Sequence, residues 1–143
     1  MSTELHTRKI VDELTTLLGV KDKAVASLLG VTATTLSMNM DKPFIEVRDN
    51  KLGKRLLSLL YVVETLTKDK SLSPKVMLHI LTTPRYKMGD GTFIDVVSTI
   101  HLGNFPNEFL MEIADKAITS LREKYLQNKA PARESIYYEA ISG

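Results

Sequence analysis

The chain has 143 residues, of which 43% are hydrophobic and 25% charged, a composition that suits one globular domain or two small lobes with a shared core. It contains no cysteine, which excludes disulfide bonds, a thiolate nucleophile and cysteine-based zinc sites. The formal net charge of +2 is too small to indicate a nucleic-acid partner by itself. The longest apolar run, Leu59 to Val63, is far shorter than a membrane span, and Met1 to Lys9 lacks the apolar core of a signal peptide. We therefore expect a cytoplasmic protein without membrane contact.

The first helix is predicted from apolar residues that recur on one helical face. These residues are Ile10, Leu14, Leu17 and Leu18. Gly19 follows them and suits the left-handed position after a helix end. The first helix is therefore expected to end at residue 18.

Two short helices are predicted next. The second has Asp22 as its N-cap and stops at Gly30. The third has Thr32 as its N-cap and ends near Met40, because Pro43 disfavours helical backbone in the residue before it.

The second half of the chain is also helical in pattern. The strongest periodic signal predicts a long helix from its apolar residues Leu52, Leu56, Leu59, Leu60, Val63 and Leu66. Ser73 and Pro74 predict the N-cap and first position of a helix that runs to Leu81. Further helices are expected over 92–102 and 107–125, and no segment shows the sustained alternation of a strand. The sequence therefore predicts an all-α protein.

Residues 82–91 form the main predicted loop, because Pro84 stops the preceding helix and the glycines near its end permit a tight turn. Thr92 to Asp95 resembles a capping box, in which Asp95 reaches back to the first amide of the next helix. Met88 is expected to fill the space beneath the loop.

Residues 22–40 meet the requirements of a helix-turn-helix, in which two short helices pack at a steep angle. Ala26 offers the small residue at the crossing point, and Gly30 offers the positive φ of the turn. Apolar residues that can attach both helices to a core are Val25, Leu29, Val31 and Leu36. The string V-A-S-L-L-G-V-T-x-x-T-L-S resembles the helix-turn-helix of phage-repressor-type regulators. The alternative is a helix-turn-helix retained for packing alone.

The candidate recognition helix contains no Lys or Arg, so base contacts would come from hydroxyls and one amide. Residues 42–55 hold five basic and two acidic side chains and could neutralise phosphates, although a solvated helix surface explains the same charges. The predicted DNA-binding residues are Thr32, Thr34, Thr35, Ser37, Asn39, Lys42, Lys51, Lys54 and Arg55.

Residues 81–97 read L-T-T-P-R-Y-K-M-G-D-G-T-F-I-D-V-V. This segment resembles the C-terminal toxin-binding domain of Xre/MbcA/ParS-type antitoxins. The matching positions are Leu81, Pro84, Met88, Gly89, Gly91, Asp95 and Val97. Two positions depart from the family pattern, since Arg85 stands where the family usually has Asn and Phe93 where it usually has Pro. Together the two resemblances span residues 10–125.

The resemblance implies the antitoxin of a RES-Xre toxin–antitoxin module. Such a protein binds and neutralises a cognate toxin, which for most members is a RES-domain enzyme that consumes NAD. We expect a homodimer that represses its own operon through operator DNA. A helix-turn-helix region over 1–67 would be joined by a long helix to a toxin-binding helical domain over 68–125. The expected partner-binding residues of the loop are Pro84, Arg85, Tyr86, Met88, Gly89, Gly91 and Asp95.

Residues 126–143 lie beyond both resemblances and are predicted to have little fixed structure alone, with a short helix starting at Pro131. Tyr137 and Tyr138 are added to the expected partner-binding residues, because Tyr is common where proteins contact each other. Two roles remain open for this tail. It could pack on the protein's own helices or a dimer mate, or it could insert into the cleft of the partner and become ordered there.

The sequence predicts no catalytic residue, no cofactor and no metal site. The three histidines, His6, His79 and His101, have no ligand-pair spacing, and residues 89–91 lack the Lys-Ser/Thr of a phosphate loop. We therefore expect a protein that is not an enzyme. Two other function classes remain open: a helix-turn-helix transcription regulator without a toxin partner, and a small helical adapter without a DNA role.

Overall fold

The computed structural model describes the backbone of residues 4–142 and the side chains of residues 4–124. Within that range the chain forms eight helices and one two-stranded sheet, which confirms the predicted all-α fold. The elements in chain order are α1 (Thr7–Leu18), α2 (Asp22–Leu29), α3 (Ala33–Met40), α4 (Phe44–Val47), α5 (Lys51–Thr67), α6 (Pro74–Thr82), β1 (Tyr86–Lys87), β2 (Phe93–Ile94), α7 (Val96–Leu102) and α8 (Asn107–Ser142).

The helix α1 buries the apolar face that the sequence predicts, and it contacts α2, α3, α5 and α6. Leu14 on this face is completely buried, and full burial of a side chain of this kind contributes about 1.5–3 kcal/mol. Gly19 ends the helix with a φ of 63°, as predicted.

The two caps predicted for α2 and α3 have different outcomes. Thr32 caps α3 as predicted, and its Oγ1 accepts a hydrogen bond from the Thr35 amide at 3.0 Å. The predicted cap of α2 is wrong by one position, because Lys21 occupies the N-cap and Asp22 is the first helical residue. A carboxylate in the first turn still favours the helix, through its attraction to the positive end of the helix dipole.

The short helix α4 was not predicted, because four residues are too few to show a helical period. Phe44 on this helix is buried, and its amide donates to the Leu5 carbonyl at 2.7 Å. The Thr7 amide and hydroxyl both donate to the Lys42 carbonyl at 3.0 Å. The N-terminal segment therefore fixes the chain that follows α3.

The long helix α5 is confirmed and contacts α1, α2, α4, α7 and α8. Its buried residues are Leu52, Gly53, Leu56, Leu59, Val62, Val63 and Leu66. Asn50 caps it by accepting a hydrogen bond from the Gly53 amide at 3.0 Å. A Cβ added at Gly53 would overlap the Val47 carbonyl, so the contact between α4 and α5 requires glycine.

The helix α6 begins as predicted, with Ser73 as its cap and Pro74 as its first residue. The Ser73 hydroxyl accepts a hydrogen bond from the Val76 amide at 3.2 Å. The helix ends at Thr82, one residue later than predicted and just before the extended residue that precedes Pro84.

An antiparallel β-hairpin stands where a loop and a helix start were predicted, and its register pairs Tyr86 with Ile94 and Lys87 with Phe93. The predicted capping box at Thr92 is therefore wrong, because α7 begins only at Val96. Asp95 occupies the N-cap position of α7, but its side chain makes no capping hydrogen bond. The cause is local, because the Thr92 amide donates a hydrogen bond to the Asp90 carboxylate at 3.0 Å and Thr92 is thereby held in a turn.

The helix α7 ends at Leu102 with Gly103 as its C-cap, as predicted, and Asn104 follows with a φ of 62°. The last helix, α8, begins at Asn107, as predicted, but it continues past Tyr125 and through Pro131 to Ser142. The predicted separate helix from Pro131 is therefore wrong, because the backbone of residues 126–142 continues the preceding helix. Side chains after residue 124 lie outside the described residues. The two roles predicted for the tail therefore stay predictions.

One cluster of buried apolar side chains includes residues of all eight described helices. The predicted regions 1–67 and 68–125 therefore share a core, while the boundary between them stays a prediction. The buried polar side chains in this part of the chain, Thr7 and Thr99, both donate to backbone carbonyls. This follows the rule that buried polar groups must find partners.

Candidate functional site

Three of the predicted DNA-binding residues are engaged within α3 and its cap. The Thr32 hydroxyl donates to the Thr35 hydroxyl at 2.9 Å. The Asn39 side-chain amide donates to the Thr35 carbonyl at 2.7 Å. Asn39 is also half-buried, so a bidentate contact of its amide with a base would require this bond to break.

The exposed side of α3 includes Thr34, Ser37 and Met38, with Met38 71% exposed. The opposite side buries Leu36 and Met40 in the core. Two hydroxyls can bind base edges or phosphate oxygens, and an apolar side chain can contact a thymine methyl group. This surface carries no charge, so neutralisation of phosphates would have to come from other elements.

The predicted lysines Lys42, Lys51 and Lys54 are all exposed. Lys42 follows α3, whereas Lys51 and Lys54 lie at the start of α5. The ion pairs between described side chains are Arg8–Asp41, Arg48–Asp49 and Arg122–Asp69. None of these pairs includes the three lysines, which therefore remain available to an anionic partner.

Arg55, also predicted to contact DNA, is half-buried and binds the backbone instead of facing solvent. Its Nη1 donates to the Leu29 carbonyl at 2.8 Å, and its Nη2 donates to the His101 carbonyl at 3.1 Å. These carbonyls belong to the last turns of α2 and α7, where helix carbonyls lack partners and attract a positive charge. Arg55 therefore has a structural role, and Lys51 and Lys54 remain the candidates for phosphate contact on α5.

His101 completes the junction of α2, α5 and α7. Its Nε2 lies 2.7 Å from the Leu28 carbonyl and donates to it. Gly30 has a φ of 70°, as the helix-turn-helix requires, and a Cβ there would stand 2.8 Å from His101 Cε1. No local pattern indicates this role of His101, because its partner lies 73 residues earlier in the chain.

The tip of the hairpin is a tight turn over residues 88–92. The Met88 amide donates to the Thr92 carbonyl at 2.7 Å, and the Gly91 amide donates to the Met88 carbonyl at 2.9 Å. The Asp90 carboxylate accepts hydrogen bonds from the Thr92 amide at 3.0 Å and the Thr92 hydroxyl at 2.6 Å. These two bonds hold the pKa of Asp90 below its ordinary value, because they stabilise the charged form.

Aromatic contacts attach the hairpin to α8. The ring of Tyr86 meets the ring of Phe109 edge-on, and Phe109 stacks on Phe105, each at 5.4 Å between centroids. Ile94 opposite Tyr86 also packs against the core. The role expected of Met88 is therefore performed by Tyr86 and Ile94, while Met88 itself is half-buried at the turn.

The outer face of the hairpin carries Lys87 and Phe93, which pair across the two strands. Phe93 is 55% exposed. Exposed aromatic residues such as Phe93 are enriched on surfaces that bind another protein, whereas lysine is not. Phe93 is absent from the predicted site, because the segment T-F-I-D predicts the start of a helix.

The other predicted partner-binding residues of the loop surround this hairpin. Pro84, Arg85, Gly89 and Gly91 are exposed, and Asp95 is half-buried at the start of α7. Tyr137 and Tyr138 lie outside the residues whose side chains are described.

Among the residues with described side chains, no three His, Asp or Glu side chains are grouped in a way that could hold a metal ion. None of the described helices combines the length and the apolar character needed to cross a membrane. Comparison of the chain with protein-family models, curated proteins and solved structures gives no match. Its function is therefore inferred from the site residues and from the sequence resemblances described above.

Proposed function

We propose that this protein is the antitoxin of a two-protein module, acting in the cytoplasm as a homodimer without catalytic activity. It binds and neutralises a cognate toxin, a RES-type enzyme that consumes NAD, and it represses its operon by binding operator DNA. The observation that carries this proposal is the hairpin over residues 86–94, which lies within the segment that resembles the toxin-binding domain of antitoxins.

The hairpin is suited to protein binding because it is ordered before it meets a partner. Its turn is closed by the hydrogen bonds of Asp90, and its base is attached by Tyr86. Phe93 and Lys87 therefore stand on a preformed scaffold. Preorganisation lowers the entropy lost on binding and so favours affinity.

The DNA-binding part of the proposal depends on α2 and α3. The turn between them has the left-handed glycine that the motif requires, and α3 exposes Thr34, Ser37 and Met38. With an uncharged α3, most of the affinity for DNA would come from phosphate contacts by lysines.

Leu5 and Ile45, 47% and 66% exposed, line one surface cleft and offer an apolar contact for a dimer mate.

The antitoxin function is tested by co-expression with the protein encoded beside its gene. That protein alone should arrest growth and deplete cellular NAD, and this chain should restore both. The double variant Lys87→Glu/Phe93→Ser should lose the rescue while it keeps its melting temperature, because neither side chain holds the fold together. Lys75→Glu, an exposed lysine on α6, is the matched control and should rescue normally. Absence of arrest and of a co-purified complex would contradict the antitoxin function.

DNA binding is tested by titrating operator fragments at several salt concentrations. Replacement of both Lys51 and Lys54 by Ala should weaken binding to all sequences and lower the salt slope by about 1 for each lost phosphate contact. Lys21→Ala/Lys23→Ala on the far end of α2 serves as a charge-matched control. If binding has no salt dependence, or does not occur at low salt, the protein does not act as a repressor.

A second candidate function is a helix-turn-helix transcription regulator without a toxin, which the exposed side of α3 equally supports. In that case the Thr34→Ala/Ser37→Ala variant would lose operator preference, while the hairpin variant would have no effect in cells. If the protein is a helical adapter without a DNA role, neither the lysine variant nor the α3 variant should change its activity. The two sets of variants therefore separate the three functions.

A further inference from the structure

A surface cleft lies between the start of α5 and the turn from α7 to α8. Its volume is about 260 Å³, just below the usual range for small-molecule sites, which starts at about 300 Å³. Its lining includes Lys51, Lys54, Arg55, Leu102, Asn104 and Phe105. No Asp or Glu is among the lining residues.

One side of the cleft is positively charged. Lys51 and Lys54 lie on the first turns of α5, and neither belongs to an ion pair between described side chains. Arg55 stands behind them, held in one position by the carbonyls of Leu29 and His101. A fixed guanidinium and two adjustable ammonium groups, with no carboxylate among the lining residues, favour an anion at this side.

The other side of the cleft is apolar, and much of it is exposed. Leu102 is 72% exposed and Phe105 is 38% exposed, although both are large hydrophobic residues. The ring of Phe105 is fixed by stacking on Phe109 at 5.4 Å. Leu110 is completely buried and closes this side toward the core.

The turn at the mouth of the cleft is conformationally unusual. Gly103 and Asn104 have φ values of 79° and 62°, and Asn104 is the one described non-glycine residue with a positive φ. Such a backbone is uncommon for residues other than glycine. It places Asn104, whose amide can both donate and accept hydrogen bonds, among the lining residues between the cationic and apolar sides.

We propose that this cleft binds a small organic anion that carries an aromatic or branched apolar group. Its acidic group pairs with Lys51 and Lys54, and its apolar group packs on Leu102 and Phe105. A phosphate monoester and a carboxylate share this chemistry. The small volume suits a compact molecule, and the apolar side distinguishes the ligand from an inorganic ion. This site is separate from the proposed toxin contact at the hairpin. It shares Lys51 and Lys54 with the proposed DNA contact, so it is tested on the protein without DNA and does not depend on DNA binding.

The experiment is calorimetric titration of the full chain with three probes: adenosine 5′-monophosphate, salicylate and inorganic phosphate. The first two present the acidic group with an aromatic ring, as a phosphate monoester and as a carboxylate. At least one of them should bind about ten-fold or more tightly than inorganic phosphate, because the ring adds apolar burial. The tighter of the two identifies the acidic group. Equal binding of all three probes, or no binding by either ring-bearing probe, would overturn the proposal.

Two variants assign the binding to this cleft. Lys51→Glu/Lys54→Glu and Leu102→Ser should each lower the affinity for the ring-bearing probe by about ten-fold. All three residues are exposed, so the melting temperature should remain unchanged. Lys21→Glu/Lys23→Glu, which changes two exposed lysines outside the cleft, should bind like the original chain. An unchanged affinity in both cleft variants, or an equal loss in the control, would place the binding elsewhere and contradict the proposal.

Discussion

The two candidate contact regions of this protein, the pair α2–α3 and the hairpin β1–β2, are stabilised in opposite ways. The helix pair is held by residues far away in sequence, since Arg55 and His101 bind its carbonyls at Leu28 and Leu29. The hairpin is held mainly by its own turn and by the contacts of Tyr86 and Ile94.

This difference determines what a mutation in each region should do. A change at the junction of α2 with α5 and α7 disturbs contacts among three helices, so it should lower the stability of the whole fold. A change at the outer face or tip of the hairpin disturbs few buried contacts, so it should alter binding or local order alone. Regions with few long-range contacts open locally at low free energy.

The largest expected effect is that of Gly30→Val. The φ of 70° disfavours a β-branched residue, and the new Cβ would stand 2.8 Å from the His101 ring. We expect the free energy of unfolding to fall by about 2–4 kcal/mol, from backbone strain and overpacking together. Chemical denaturation measures this loss.

Gly19→Val is the matched control for this prediction. Gly19 has a similar φ of 63°, but its added Cβ would meet only an ordinary contact, 3.7 Å from Pro74 Cβ. It should therefore lose less stability than Gly30→Val, and the difference reports the clash with His101. An equal loss at both glycines would show that the ring exerts no constraint.

The second largest effect is expected from Arg55→Ala. This change removes two charge-assisted hydrogen bonds to helix carbonyls, and we expect a loss of about 1.5–3 kcal/mol. Arg55→Lys should not restore the stability, since an ammonium group lacks the planar fork that reaches both carbonyls. Lys54→Ala, one residue earlier and exposed, should leave the unfolding midpoint unchanged. A stable Arg55→Ala protein would mean that the junction does not hold α2 to α7.

The parts of the fold that the sequence predicts correctly are those with local causes. Thr32 and Ser73 cap helices through amides three residues later, and Gly19 and Gly30 adopt the left-handed backbone that ends a helix. The long helix α5 was recognisable from its apolar period. Each of these signals lies within a few residues of the feature that it predicts.

The features that the sequence does not predict depend on distant partners or on competing local bonds. Nothing near Arg55 indicates that its guanidinium binds carbonyls 26 and 46 residues away. The hairpin was missed because Asp90, and not Asp95, binds the Thr92 amide, and the two alternatives look alike in sequence. The sequence therefore predicts which segments form the candidate site. The roles of Arg55, His101 and Phe93 are visible only in the structure.

A third, smaller effect separates the two faces of the hairpin. Tyr86→Ala removes the edge-on contact with Phe109 and should lower the free energy of unfolding by about 1–2 kcal/mol, less than the value for a fully buried aromatic residue. Phe93→Ala on the outer face should stay within about 0.5 kcal/mol of the original chain. Thermal unfolding followed by circular dichroism measures both. Equal losses would indicate that Phe93 also packs on the fold.

The smallest expected effect is the pH dependence of the hairpin turn. The pKa of Asp90 is lowered by its hydrogen bonds from Thr92, so the ionised carboxylate favours the closed turn. This contribution is complete above the ordinary Asp pKa of about 3.9 and is lost as the pH falls through the lowered pKa of the folded state. Because Asp90 is exposed, the overall melting temperature should change little. The Thr92 amide resonance in NMR spectra should report the transition, with a midpoint below about 3.9.

Two variants of Asp90 complete this test of local stabilisation. Asp90→Asn should keep the turn at low pH, because the side-chain amide oxygen can accept the same hydrogen bonds without carrying a charge. Asp90→Ala should lose the Thr92 amide signature at every pH, while the amides of α2 and α3 keep their protection from hydrogen exchange. If the Asp90→Ala change also lowers protection in α2 and α3, the hairpin is coupled to the helix pair, and the contrast between a locally and a distantly stabilised region is wrong.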